Sequence, residues 1–215
     1  MAQSDIDPFM PFTGKAKQDH HRLFLSISIP EPVKNAIALA QAEFQSRLPS
    51  RCATWTKQEQ LHLTLKFFGN VPLARVQALK DQLAIACANF SPLLLRAEKV
   101  GAFPDLRFPR VIWVGINEEF DQLAKVQREI EQAAHEFGEE KSNEKTFHGH
   151  ATLARLKRIN ASERKLISEL ISKMGSKSFG EWVASEIHLM RSQLSSHGAQ
   201  HSCVTTFQFT GTSLK

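Results

Sequence analysis

No apolar run in this 215-residue chain approaches the roughly 20 residues that cross a bilayer, so no transmembrane helix is expected. The first residues carry Asp5 and Asp7 where a secretory signal has an apolar core, and no export signal is read there. Cysteine is scarce: Cys52, Cys87 and Cys203 are odd in number, widely spaced and without a Cys-x-x-Cys pair. That argues against a disulfide framework and a zinc knuckle, and fits a reducing, cytoplasmic setting. No Walker loop, Gly-x-Gly-x-x-Gly turn or serine nucleophile elbow occurs. Low-complexity tracts and obvious linkers are also missing.

What is present is an ordinary globular composition, 42% hydrophobic and 23% charged, on a chain long enough for one large domain or two small lobes. The formal charge of +5 is a mild bias toward anionic partners, nucleic acid first among them.

Residues 1–21 show no sustained period and read as a tail or arm, with His20 and His21 exposed in it. From residue 22 the periodicity alternates between two and 3.6. RLFLSISI (22–29) predicts a strand. Pro30 to about Leu48 predicts a helix with Val33, Ile37, Ala40 and Phe44 on one face. A short extended piece, 52–56, leads to a strand over 62–68, a helix over 72–88, and a long-tipped hairpin of strands 93–103 and 110–116. Asn117 is placed to cap a helix over 118–137 that ends at Gly138. A polar loop, 139–146, precedes a strand over 147–156, a helix over 161–174 and a loop over 175–180. Trp182 to Leu194 and Cys203 to Phe209 read as two long strands. Trp55, Trp113 and Trp182 are expected in the core. The class is α+β, with mostly antiparallel sheets covered by helices.

The informative signal is a repeated phrase. His62-Leu63-Thr64-Leu65 returns as His150-Ala151-Thr152-Leu153. Shuffling the composition yields roughly 0.04 copies of His-x-Thr-Leu, so two copies point away from chance. On a half-buried strand, the histidine and threonine share one face and the apolar pair anchors the other. Strand, helix and strand follow each copy, which indicates an internal duplication.

Two imidazoles brought together suit acid–base chemistry, since one can be neutral while the other is protonated at the same pH. The threonine hydroxyls are suited to donating to non-bridging phosphate oxygens. Lys66, four residues after His62, falls on the same face by strict alternation and would add a positive charge. A metal reading competes: His148 and His150 share a face, and with His62 they would form a three-histidine zinc site.

HLTLKFFG, GAFPDLRFPRVIWVG and FHGHATLAR, following an RLFLSISIP opening, resemble the 2H phosphoesterase superfamily. More closely, they are similar to the RNA 2′,3′-cyclic phosphodiesterases historically called 2′-5′ RNA ligases. The resemblance spans residues 22–215. It implies a single bilobal domain of two pseudo-symmetric antiparallel sheets, with the active-site cleft between the lobes and both termini in one of them. It implies metal-independent hydrolysis of a terminal 2′,3′-cyclic phosphate to a 2′-phosphate, with no cofactor. His62 would be the proton donor, His150 the proton acceptor, and Thr64, Thr152 and Arg155 the phosphate-binding residues. Strict alternation puts Arg155 on the face opposite His150, so this role needs a bulge just after Leu153. Phe67, at the equivalent offset in the first copy, and His148 are further candidates for substrate contact. Gly149 stands where the family's motif has proline, and Ala151 is smaller than the usual branched residue; both are expected to loosen the strand.

The expected partner is RNA ending in a 2′,3′-cyclic phosphate, tRNA fragments and small cyclic nucleotides included. A monomer is expected. Two alternatives remain open on the residues alone: a 2′-5′ RNA ligase joining tRNA halves, and a non-catalytic RNA-end-binding module.

Overall fold

The computed structural model describes residues 20–138, 147–195 and 198–211. Most of the expected N-terminal arm and all of the 139–146 loop lie outside them. Among the described residues, nine strands and four α-helices follow in the order β1 (His20–Ser28), α1 (Glu31–Arg47), β2 (Ala53–Trp55), β3 (His62–Pro72), α2 (Leu73–Ala88), β4 (Leu93–Phe103), β5 (Val111–Asn117), α3 (Gln122–Ala133), β6 (His150–Leu156), α4 (Ala161–Lys173), β7 (Ser178–Ala184), β8 (Glu186–Ser195) and β9 (Gly198–Gln208). His20 and His21, expected in the arm, are the half-buried start of β1.

The strands form two antiparallel sheets. One has the order β3-β1-β8-β9, the other β2-β6-β5-β4-β7. Leaving β2 aside, the two orders correspond strand for strand, with β3 matching β6 and β1 matching β5. The halves of the chain interlock. After β3 and α2, the chain crosses and β4 joins the second sheet; after β6, α4 and β7, it crosses back and β8 joins the first. The helices are exchanged as well: α1 and α4 cover the second sheet, α2 and α3 the first. The fold is α+β and bilobal, and β1 and β9 put the beginning and end of the described chain in the same lobe.

The stripe expected on α1, Val33, Ile37, Ala40 and Phe44, is the buried one. On α2, where the period of 3.6 picks out Val76, Leu79, Leu83 and Ala86, the first three enter the core, and Cys87 is buried in place of the half-buried Ala86. Each such large side chain contributes about 1.5–3 kcal/mol of transfer free energy. Trp55 and Trp182 pack against this core as expected, whereas Trp113 does not belong to it.

Two elements differ from the periodicity reading. Residues 178–194 are not a loop and one strand but β7 and β8, which break at Ser185 and enter different sheets. The pairing partner decides this, since β7 finds β4 and β8 finds β1. Helix α3 also starts later than expected, and Asn117 does not cap it. The Glu118 carboxylate accepts from the backbone N–H groups of Phe120, Gln122 and Leu123, which folds 118–121 into a turn. Asp121 then stands at the N-cap in the left-handed region with φ 55°.

Candidate active site

β3 and β6 pack against one another where the lobes meet, and each begins with its histidine. Both strands carry a β-bulge at the same place. Between β1 and β3, Ser26 faces Thr64 and Leu25 faces Lys66, which leaves Leu65 as the extra residue. Between β5 and β6, Trp113 faces Thr152 and Ile112 faces Ala154, which leaves Leu153 extra. A bulge shifts side-chain alternation by one. His150, Thr152 and Arg155 therefore share one face, as do His62, Thr64 and Phe67. Burial follows this register. Leu153 and Ala154 are consecutive buried residues and Arg155 is exposed; Leu65 and Lys66 are both buried and Phe67 is 46% exposed.

The same bulge overturns the expectation for Lys66. It lies on the covered face of its sheet, 7% exposed, with its ammonium paired to Glu131 of α3. It anchors a helix and does not reach the face of His62. Strict counting by two missed the inserted residue.

The two histidines are held alike. His62 Nδ1 lies 2.7 Å from the carbonyl of Gln60, and His150 Nδ1 lies 2.7 Å from the carbonyl of His148. A carbonyl only accepts, so each Nδ1 carries the proton and donates it. Each Nε2 is then the nitrogen without that proton. The His62 ring stacks on Phe24 with centroids 5.0 Å apart, and the His150 ring meets Phe103 edge-on at 5.0 Å.

Burial pushes the His62 imidazole down to about 4, against the opposing effect of its bond to the Gln60 carbonyl; the charges of His201, Lys34 and His150 lower it further. His150 is also lowered, first by burial, then by the charges of His148 and Arg155. The charge of His150 thus acts on His62, and that of Arg155 on His150.

Further rings stand around these imidazoles. On the first lobe, His201 of β9 stands edge-on to both Phe24, at 4.9 Å, and His62, at 5.6 Å. On the second, Trp113 and Phe103 pack with His148, so Trp113 walls the site instead of filling the core. The Trp113 ring lies where a side chain at Gly101 would stand, 2.2 Å from the position of a Cβ. His188, which echoes the motif without its threonine, bonds Thr206 and lies 3.3 Å from Glu186. His148 joins no metal-ligand set: among the described residues, no three His, Cys, Asp or Glu side chains converge as metal ligands.

Gly149 proves tightly held, not loose. Its carbonyl accepts from the Ile116 N–H at 2.8 Å, and the Ile116 carbonyl approaches to 2.4 Å of where a Cβ would be. Ala151 is fully buried opposite Val114.

A family model for LigT-like phosphoesterases matches this chain twice in tandem, over residues 27–113 and 114–199. The chain belongs to the LigT-like phosphoesterase family. The two matches divide the chain as its structural duplication does. Similar relatives are the RNA 2′,3′-cyclic phosphodiesterase of Methanocaldococcus jannaschii, 32% identical over 82% of this chain and 94% of that one, and that of Aquifex aeolicus, 30% identical over 73% and 82%. Among solved structures, TT0787 of Thermus thermophilus superposes with a TM-score of 0.72 at 26% identity, covering 88% of this chain and 98% of that one. E. coli LigT complexed with 3′-AMP shares the fold of this LigT-like phosphoesterase, with a TM-score of 0.70 at 21% identity, covering 89% and 99%. Among the described residues, no helix is long and apolar enough to cross a membrane.

Proposed function

We propose that this phosphoesterase opens the 2′,3′-cyclic phosphate at an RNA 3′ end to a 2′-phosphomonoester, by two-histidine acid–base catalysis without a metal. The observation that carries the reading is the matched pair of imidazoles on β3 and β6, each with Nδ1 bonded to the carbonyl two residues before it. The activity for which the relatives are named, which match over most of their length, supports the substrate.

His150 Nε2 takes a proton from water as its oxygen attacks phosphorus. The P–O3′ bond breaks, and His62 Nε2 gives its proton to the departing O3′. Thr64 and Thr152, on the same faces, donate to the non-bridging oxygens, and Arg155 supplies the opposing charge. Positioned proton transfers of this kind contribute about 10²–10⁴-fold each. Burial keeps His62 neutral in the free protein at neutral pH, so its donor role requires the anionic phosphate. An opposite charge within a few ångströms raises a pKa by about 1–3 units. Phe67, exposed beside Thr64, is placed to border the nucleoside.

The test is incubation with an RNA bearing a 2′,3′-cyclic phosphate in excess chelator. The expected product is the 2′-phosphate, with His62→Ala and His150→Ala each slower by orders of magnitude. Loss of turnover in chelator, restored by zinc, would overturn the metal-free mechanism. Faster joining of RNA halves than hydrolysis would favour the ligase.

A further inference from the structure

The phosphate clamp reads only the last nucleotide, yet an RNA substrate carries its chain onward from there. β6 runs from His150 through Thr152 to Arg155, and ends at Leu156. Just past it, an open groove of about 590 Å³ is lined by Arg51, Lys157, Arg158, Ile159 and Asn160. The backbone ties this groove to the strand end that carries Arg155. The Lys157 N–H donates to the Cys52 carbonyl at 2.8 Å, and the Leu156 N–H donates to the Arg110 carbonyl at 2.8 Å. The strand ends at Leu156 and the chain bends at Arg158, so both cations lie within two or three residues of Arg155.

The charge is one-sided. Arg110, Arg155, Lys157 and Arg158 are exposed, and among the described residues none has a carboxylate partner. The acid at this end, Glu163, is already engaged. It closes the capping box of α4 with Asn160 and pairs with Arg51, so Arg51 walls the groove without adding net charge. Ile159, half-buried against the core, is the apolar residue of the lining. A positively charged groove is what tracks the backbone of a single strand.

We propose that this groove carries the sugar–phosphate backbone of the RNA strand upstream of the cyclic phosphate, with Lys157 and Arg158 as its phosphate contacts. The proposal rests on the cyclic phosphodiesterase reading and adds a substrate class to it: an oligonucleotide is preferred over a cyclic mononucleotide, because only the longer substrate reaches past Arg155.

The experiment compares the wild-type chain with Lys157→Glu/Arg158→Glu in two assays. One is kcat/KM on a short RNA ending in a 2′,3′-cyclic phosphate and on 2′,3′-cyclic AMP. The other is binding of a labelled single-stranded RNA ending in a 2′-phosphate, followed by anisotropy across a salt series. Expected is a wild-type preference for the RNA. The double variant loses about tenfold or more on RNA through KM, and keeps turnover of the mononucleotide. Its binding constant also loses salt dependence, by about 0.7 in log–log slope per lost contact. Equal kinetics and equal binding in variant and wild type overturn the groove while leaving the hydrolysis reading intact. Equal loss on both substrates with a lowered melting temperature also overturns it, because the residues would then be structural. RNA binding that depends on Lys157 and Arg158 without turnover of either substrate overturns the hydrolysis reading and keeps the groove.

Discussion

The side-chain amide of Gln41, on α1, donates to the carbonyl of Leu153 at 3.0 Å and to that of Thr56 at 2.8 Å. Leu153 is the bulged residue of β6, and its carbonyl also accepts from the Thr56 N–H. A 7%-exposed glutamine in a helix thus holds the irregularity that turns Arg155 toward the face of His150. Gln41→Leu leaves buried carbonyls short of a donor, at a cost of about 1–3 kcal/mol. The variant is expected to unfold at lower denaturant and to lose kcat although Gln41 touches no substrate. Unchanged kcat in the folded variant would mean that the bulge stands without it.

His62 makes stability depend on pH. Its folded pKa, about 4, lies below the ordinary value of 6.5, so between these pH values the unfolded chain binds a proton that the folded protein refuses. The contribution is fully present above pH 6.5 and is lost as pH falls toward 4. At 1.36 kcal/mol per unit, it amounts to about 3 kcal/mol. Denaturant melts at pH 7 and pH 4.5 should therefore differ more for the wild type than for His62→Gln. A bound anion reverses the shift, so phosphate should raise the His62 pKa in an NMR titration, and its binding should take up a proton.

His201 shields one side of His62. Removing it in His201→Ala admits water and takes away a positive charge that lowers the His62 pKa. Both effects raise that pKa. The limb of the pH–rate profile that reports His62 is expected to move to higher pH, with His150→Ala as the inactive reference. A profile identical to the wild type would remove His201 from the site.

Gly149 admits no side chain, because a Cβ would meet the Ile116 carbonyl at 2.4 Å. Gly149→Ala is expected to push β6 away from β5 and displace both His148 and His150. Overpacking of this kind costs about 1–3 kcal/mol. The check is a melting temperature lowered together with kcat; a variant as stable and active as the wild type would show that the strand gives way freely.

The capping box of α4 is the plainest local device in the chain. Asn160 accepts from the Glu163 N–H at 2.9 Å, and Glu163 accepts from the Asn160 N–H at 2.8 Å. Asn160→Ala should lower stability by about 1 kcal/mol. Thermal melts at neutral pH would detect it, and turnover of a cyclic mononucleotide should be unaffected.

Much was legible without coordinates because it is short-range. The period of 3.6 in Val33, Ile37, Ala40 and Phe44 and the alternation around His62 and His150 need only neighbours a few residues away. The duplicated His-x-Thr-Leu likewise implied two equivalent half-strands, and β3 and β6 are such a pair. Side-chain type and spacing therefore sufficed for the motif strands and for the buried stripe of α1.

Tertiary structure alone decided the rest, because each remaining feature depends on a partner far along the chain. Whether Lys66 or Phe67 shares the face of His62 depends on a bulge, and a bulge is a property of two paired strands, not of one. β7 and β8 separate because β4 and β1 claim them for different sheets. His201 stands beside His62 through strand pairing, and nothing in its own neighbourhood marks it. Periodicity can choose a face within one strand; only the register between strands decides where that choice reverses.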